Sequence, residues 1–293
     1  MVVPYRYIKS DAFTANGSLG NPAAIVYLEQ KERLSDNEML AIAKAHKGFV
    51  SEVVYCGINE SDIYLTYYSP ECEVDFCGHG TIACLYSLLK DNPILLSQKK
   101  IFIRTNRKGS LSVYNRICDL DAIFVTAPKP EYIKTQLDSL SIVNALGISE
   151  NDRDLQLPFD LINAGLRTLI VPLRDLQTTI SFYPDERLLK EFCISHEIDI
   201  ILVFSKEVSH ENHLAHTRVF TPKFGNLEDS ATGSGNSAFG YYLLKNGLWD
   251  ENDCVIAQGG NDRIFNPIHL SYIDDRVLFG GSATVRIEGT YLI

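Results

Sequence analysis

Long apolar runs are missing from this sequence. Nothing in its 293 residues approaches the ~20 consecutive apolar residues of a membrane-spanning helix. The opening stretch from Met1 to Lys9 also lacks the apolar core of a secretory signal. Neither membrane insertion nor export is therefore expected. Basic residues are outnumbered: 27 Lys and Arg against 37 Asp and Glu leave a net charge of −10. A nucleic-acid partner calls for the opposite balance, so none is expected. The cysteines number seven, at positions 56, 72, 77, 84, 118, 193 and 254. They are odd in number, and Cys72 and Cys77 have no second pair at zinc-ligand spacing. Free thiols in a reducing cytoplasm are the expectation, with no metal site.

Familiar catalytic signatures are missing too. No Gly-x-Ser-x-Gly elbow supports a serine hydrolase. His-Glu-x-x-His, a calcium-binding loop and the Gly-Lys-Ser/Thr of a phosphate-binding loop are all absent from the sequence. His210, His213 and His216 sit three apart in a polar stretch and read as a solvated loop rather than a metal site.

One uncommon pattern is present twice. Gly78-His79-Gly80-Thr81-Ile82-Ala83 runs on to Tyr86 and Lys90, and Gly233-Ser234-Gly235-Asn236-Ser237-Ala238 runs on to Tyr241 and Lys245. The offset is constant, 233 − 78 = 155 and 245 − 90 = 155. A fixed spacing with only two copies predicts duplicated halves that face each other. From Phe76 to Leu89 only His79 carries charge near neutral pH, and from Ser230 to Leu244 nothing does. A helix neutral all round is buried, so each half is expected to hold a central helix. Both open on glycines, which leave backbone N–H groups free, and two such ends meeting in a cleft would bind a carboxylate. The dinucleotide fingerprint competes for the same residues. It is disfavoured because most of the chain reads as strands, because Glu228 and Asp229 would repel a pyrophosphate, and because Val255–Gln258 ends without a ribose-binding acid.

Around these helices the pattern predicts strands near 5–13, 23–27, 53–56, 63–68, 101–105, 111–114 and 122–125, with a helix over 36–46 opened by a Ser35/Glu38 capping box. Ala127-Pro128-Lys129-Pro130 reads as a linker. The second half repeats the order loosely, with a helix near 137–146 and strands near 168–171, 200–204, 218–221, 255, 268, 277 and 285. The expected fold class is α+β: two halves, 1–127 and 128–293, each an antiparallel barrel-like sheet around a buried helix. The last strand, 283–292, is expected to return to the first half.

Few residues offer chemistry. Glu52 follows Ser51 in an otherwise apolar stretch, which suits a general acid/base, although a solvated strand-end acid would look the same. His79 heads the first central helix, where the dipole favours its neutral form; a backbone-bonded core histidine is the plain alternative. Asp229 precedes the second motif as a helix cap or as a group that orients a substrate. Thr232 and Ser234 add hydroxyls and N–H groups there.

These residues together resemble the phenazine-biosynthesis PhzF-like family, which has the diaminopimelate epimerase fold. The matching segments are Asp11-Ala12-Phe13-Thr14, Gly20-Asn21-Pro22-Ala23-Ala24, Ser51-Glu52, Ser69-Pro70 with Glu73-Val74, Cys77 through Ala83, Glu228-Asp229 and Ala231 through Ser234. The resemblance implies a cofactor-independent isomerase that moves a proton on a small cyclic or amino-acid-like carboxylate in a cleft between the halves. It further implies a homodimer. It gives proton transfer to Glu52, assisted by His79 and Asp229, and places Asn21, Gly78, Gly80, Thr232, Gly233 and Ser234 around the substrate. Phe49 and Val53 depart from the family's usual Asn and Thr, which implies a more apolar surround for Glu52. The alternatives are a two-thiol amino-acid racemase or epimerase of the same fold and a non-catalytic binding protein. The racemase needs a partner for Cys77, and the position just before Thr232-Gly233 offers Ser230 instead of a thiol.

Overall fold

The structure, a computed structural model, describes residues 3–28, 34–59, 62–260 and 264–293. The chain divides into two units. One comprises Met1–Ala15, Gly20–Thr126 and Gly280–Ile293, the other Asn16–Leu19 and Ala127–Phe279. The class is mixed α and β: each unit holds a mostly antiparallel set of strands and a long buried helix.

In the first unit the last strand, Ala283–Leu292, pairs antiparallel with the first, Pro4–Ala12. Asp11 helps to fasten that join, because its carboxylate accepts from Arg286 Nε at 2.8 Å. Pro4–Ala12 pairs antiparallel with Asn21–Leu28, which lies parallel to Glu52–Asn59. An antiparallel join to Asp62–Tyr68 follows, then a parallel one to Lys100–Thr105 and antiparallel ones to Gly109–Arg116 and Ala122–Thr126. The sheet is therefore mostly antiparallel, with a parallel join wherever a helix carries the chain across. The second unit repeats this succession. Asp160–Asn163 joins Arg167–Pro172 antiparallel, Ile200–Ser205 follows in parallel, His213–Phe220 antiparallel, Cys254–Gln258 parallel and Asn266–Ile273 antiparallel.

The helix Gly78–Asp91 is buried continuously from Gly80 to Leu89. It packs on Pro4–Ala12, Asn21–Leu28, Glu52–Asn59, Ala122–Thr126 and Ala283–Leu292, so the sheet wraps it, outer strands included. This is why the buried stretch Gly80–Leu89 carries no charged residue. Its counterpart Gly233–Lys245 is buried from Gly235 to Leu243. On the opposite face of the first sheet lies the helix Asp36–Ala45, started by the expected Ser35/Glu38 capping box. It packs Met39, Ile42 and Ala43 on Tyr7, Val26, Val53 and Tyr55.

Gly280 marks a close approach. A Cβ there would stand 2.5 Å from the Ile123 carbonyl oxygen and 2.7 Å from the Phe124 ring. A backbone oxygen held in a sheet cannot move aside, so Gly280→Ala is expected to cost about 1–3 kcal/mol. A lowered urea midpoint would show it; an unchanged midpoint would contradict it.

The histidine stretch is a loop only at His210, which lies in an exposed bend. His213 and His216 belong to the strand His213–Phe220, and His216 is fully buried. Alternation hides this strand, because its polar side chains lie inside. His216 Nε2 donates to the Gly259 carbonyl at 2.7 Å, its ring meets Phe265 edge-on at 4.3 Å, and Nδ1 has no hydrogen-bond partner among the described residues. Burial lowers its pKa from 6.5 to about 4. The neutral ring thus contributes stability that is full above pH 6.5 and is lost as the pH falls towards 4, up to about 3 kcal/mol in all. The denaturation midpoint is expected to fall more steeply between pH 7 and pH 4.5 in the parent than in His216→Gln, and equal slopes would refute this.

The amphipathic helix Glu186–Ser195, absent from the sequence reading, is capped by Asp185 and buries Leu189 and Cys193. These join Ile142, Leu146, Leu169 and Phe220 in the second unit's core. Among the described residues no helix is long and apolar enough to cross a membrane.

Candidate active site

Strand alternation sets the direction of Glu52. Val53 and Tyr55 face the core under the helix Asp36–Ala45, so Glu52 and Val54 face the other way, towards Gly78–Asp91. Val54 lies against that helix at Gly80, where an added Cβ would come within 2.7 Å of it. Val53 therefore does not line the surround of Glu52, and the expected apolar effect of that departure is not found. Phe49 is 48% exposed and leans on the His46 ring at 6.3 Å. Asn21 opens its strand two residues before Ala23, the register partner of Glu52, and is 2% exposed. The register puts both on the sheet face that Glu52 uses.

Cys77 is the N-cap of the central helix, and its sulfur accepts from Gly80 N at 3.3 Å. Gly80 allows this because a Cβ would sit 2.8 Å from that sulfur. Thr81 Oγ1 donates to the Cys77 carbonyl at 2.7 Å and accepts from the buried Tyr67 hydroxyl at 2.7 Å. The first turn is thereby fixed, with Gly78 and His79 at its head. Cys77 is thus a capping group inside a polar cluster.

The cluster is compact. His79 Nε2 lies 3.2 Å from Glu52 Oε2. Cys77 Sγ lies 3.8 Å from the same oxygen and 3.7 Å from His79 Nε2. Side-chain exposures of 14% for His79 and 22% for Glu52 leave one side of the pair reachable. Burial disfavours a charged His79, but Cys77 and the Glu52 carboxylate outweigh it and hold the imidazole well above the ordinary histidine range. The neutral histidine expected from the helix dipole is therefore overturned: the dipole is weak beside a carboxylate at 3.2 Å. Burial also pushes the Cys77 thiol up, with His79 opposing and Glu52 adding.

The second unit holds the other residues. Asp229 lies in the two-residue strand Glu228–Asp229 and is not a helix cap. The cap position of Gly233–Lys245 is Thr232, whose Oγ1 donates to Asp229 Oδ2 at 2.5 Å. The Thr232 side chain makes no capping bond to that helix. Ser234 is half-buried in that turn, and a Cβ on Gly233 would enter the Phe279 ring at 2.4 Å.

Sequence reasoning missed the brace behind this turn. Gln258 donates to the Asp229 carbonyl at 2.9 Å and to Thr232 Oγ1 at 3.1 Å, and it accepts from Thr232 N at 3.1 Å and Asn236 Nδ2 at 2.8 Å. Its signal was a lone amide closing an apolar strand. Glu228 also proves separable from Asp229. It binds the fully buried Arg218 through two bonds of 2.7 and 2.9 Å, a structural pair. The offset also puts Thr232, rather than Ser230, in register with Cys77, since 77 + 155 = 232. Both are N-caps.

The phenazine biosynthesis-like protein family matches residues 10–289. The chain belongs to that family. Among its relatives is the uncharacterized isomerase YfhB of Bacillus subtilis, 30% identical over 257 residues that cover 86% of this chain and 85% of that one. Another is the trans-2,3-dihydro-3-hydroxyanthranilate isomerase of Pseudomonas fluorescens, 25% identical over 83% of this chain and 81% of that one. A PhzF-family phenazine biosynthesis protein of Bacillus anthracis shares the fold, with a TM-score of 0.85 at 24% identity, covering 99% of this chain and all of that one. This PhzF-like chain is an isomerase.

Proposed function

We propose that the enzyme is a cofactor-independent isomerase that moves a proton on a small cyclic or amino-acid-like carboxylate. The observation that carries this is the Glu52–His79 pair, 3.2 Å apart and partly exposed at the head of a buried helix. Glu52 takes the proton from a carbon of the substrate and returns it at a second position, so the substrate gains and loses nothing overall. His79, held protonated by its neighbours, keeps the carboxylate oriented and donates a hydrogen bond to developing negative charge. Asp229, with Thr232, Gly233 and Ser234, is the substrate-holding group of the second unit, and Asn21, Gly78 and Gly80 complete that role in the first. The relative from Pseudomonas fluorescens, by its name, acts on a ring carboxylate, which supports the substrate class.

The test is incubation with trans-2,3-dihydro-3-hydroxyanthranilate and a panel of small cyclic carboxylates in deuterated water. Isomerisation with solvent-exchangeable proton transfer at one carbon, seen by NMR without added cofactor, is expected. Failure to isomerise or exchange any of them would overturn the proposal. A two-thiol racemase is disfavoured because neither Ser230 nor Thr232, ahead of the second motif, is a thiol. Accordingly Cys77→Ala is expected to keep turnover within a few-fold of the parent; loss of activity comparable with that of a Glu52 variant would restore the thiol reading.

The seven cysteines are free, which supports a reducing, cytoplasmic setting. A homodimer is proposed on family grounds, and light scattering showing a monomer would dismiss it.

A further inference from the structure

The three side chains at the head of Gly78–Asp91 also satisfy a geometric condition that proton transfer does not impose. Around a tetrahedral zinc ion, bonds of ~2.0–2.2 Å to nitrogen and oxygen and ~2.3 Å to sulfur put neighbouring donors ~3.3 Å apart for N and O and ~3.6 Å apart when one is sulfur. Here His79 Nε2 and Glu52 Oε2 are 3.2 Å apart, Cys77 Sγ and His79 Nε2 3.7 Å, and Cys77 Sγ and Glu52 Oε2 3.8 Å. All three donors lie within 4.8 Å of one another.

The donor chemistry points the same way. One sulfur, one imidazole and one carboxylate suit zinc, whereas magnesium and calcium prefer oxygen alone. The scaffold is already rigid. Glu52 is set by strand register, and Cys77 is fixed as the helix cap with Gly80 N–H on its sulfur at 3.3 Å. A backbone N–H and a helix N-terminus both favour a thiolate ligand. The 14% and 22% exposures of His79 and Glu52 leave a direction open for a fourth ligand, as in sites where zinc retains water.

We propose that Glu52, Cys77 and His79 form an inhibitory zinc site. One Zn²⁺ per chain, completed by solvent, occupies the carboxylate and imidazole and stops turnover until it is removed. The inhibition rests on the proton-transfer role proposed for Glu52; the binding does not.

The experiment uses the full chain, free of tags and dialysed against chelator, titrated with zinc chloride by calorimetry and with Co²⁺ by absorbance. Cys77→Ala, His79→Gln and His210→Gln are run beside it, each checked by thermal melting. His210 and His213, whose rings lie 5.4 Å apart, are the competing surface ligands. Expected are one zinc in the parent and in His210→Gln, affinity at least ~10-fold weaker in Cys77→Ala and His79→Gln, and a sulfur-to-cobalt charge-transfer band that Cys77→Ala lacks. Equal affinity in all four proteins, loss of binding only in His210→Gln, or no binding at millimolar zinc would overturn the site. Assays with substrate separate the two ideas. Chelator-reversible inhibition at one zinc per chain supports both. Stoichiometric binding at these residues without inhibition keeps the site and removes Glu52 from the reaction. Absent binding alongside an inactive Glu52→Gln removes the site and leaves the role of Glu52 standing.

Discussion

Glu52→Gln is expected to lower turnover at least ~10²-fold, the low end of what a positioned acid/base contributes. The substitution keeps the shape of the side chain and an oxygen for His79 to bond, so the strand and the helix head should persist. What it removes is a group that can take a proton from carbon and give it back. The loss should therefore fall on the chemical step, with substrate affinity little changed. Steady-state assays and deuterium exchange into the substrate both read it, with a thermal melt as the check on folding. Turnover close to that of the parent would take the acid/base role away from Glu52.

The largest expected effect on stability belongs to the second unit. Arg218 is fully buried, and its charge is met by Glu228 in a two-bond pairing, with the carbonyls of Thr179 and Phe182 accepting at 3.2 and 2.6 Å. Glu228→Ala leaves a guanidinium in the interior with only those carbonyls. Breaking such a pair on one side costs about 3–5 kcal/mol, whereas replacing both members by apolar residues costs less or nothing. The urea midpoint of Glu228→Ala is accordingly expected to drop well below that of the double variant Arg218→Met/Glu228→Leu. A single variant as stable as the parent, or a double variant worse than the single, would contradict this account.

The two charged neighbours Glu228 and Asp229 show how far a sequence reaches. Adjacent in the chain, they look alike there. In the fold one neutralises a buried arginine through two bonds, while the other accepts from Thr232 Oγ1 at 2.5 Å. Strand alternation sends consecutive side chains to opposite faces, but which face meets Arg218 depends on how His213–Phe220 is placed. The same limit hid Gln258, whose partners lie 22 to 29 residues away. It also turned His216 into a supposed loop residue, because a polar side chain inside a buried strand breaks the pattern by which strands are recognised. The helix Glu186–Ser195 was missed although Asp185 caps it, since its buried stripe is narrow, chiefly Leu189 and Cys193.

Local and periodic features were legible because they are set by neighbours in sequence. The Ser35/Glu38 capping box forms as read. Both glycine-led helices are buried along the stretches that lack charge, Gly80–Leu89 and Gly235–Leu243, since a segment without charge has no face to turn to water. The mixed α and β class and the family followed from motifs spread along the chain. Pairing was not legible at that level. The return of Ala283–Leu292 to the first half was expected, but that its partner there is Pro4–Ala12, and that Cys77 and His79 close on Glu52 from 25 or more residues away, depends on contacts between distant segments. The protonation preference of His79 belongs with these. Sequence supplied only a helix dipole that argued for the neutral ring, and the tertiary structure reversed it by placing a carboxylate 3.2 Å away, where a close charge outweighs a partial one.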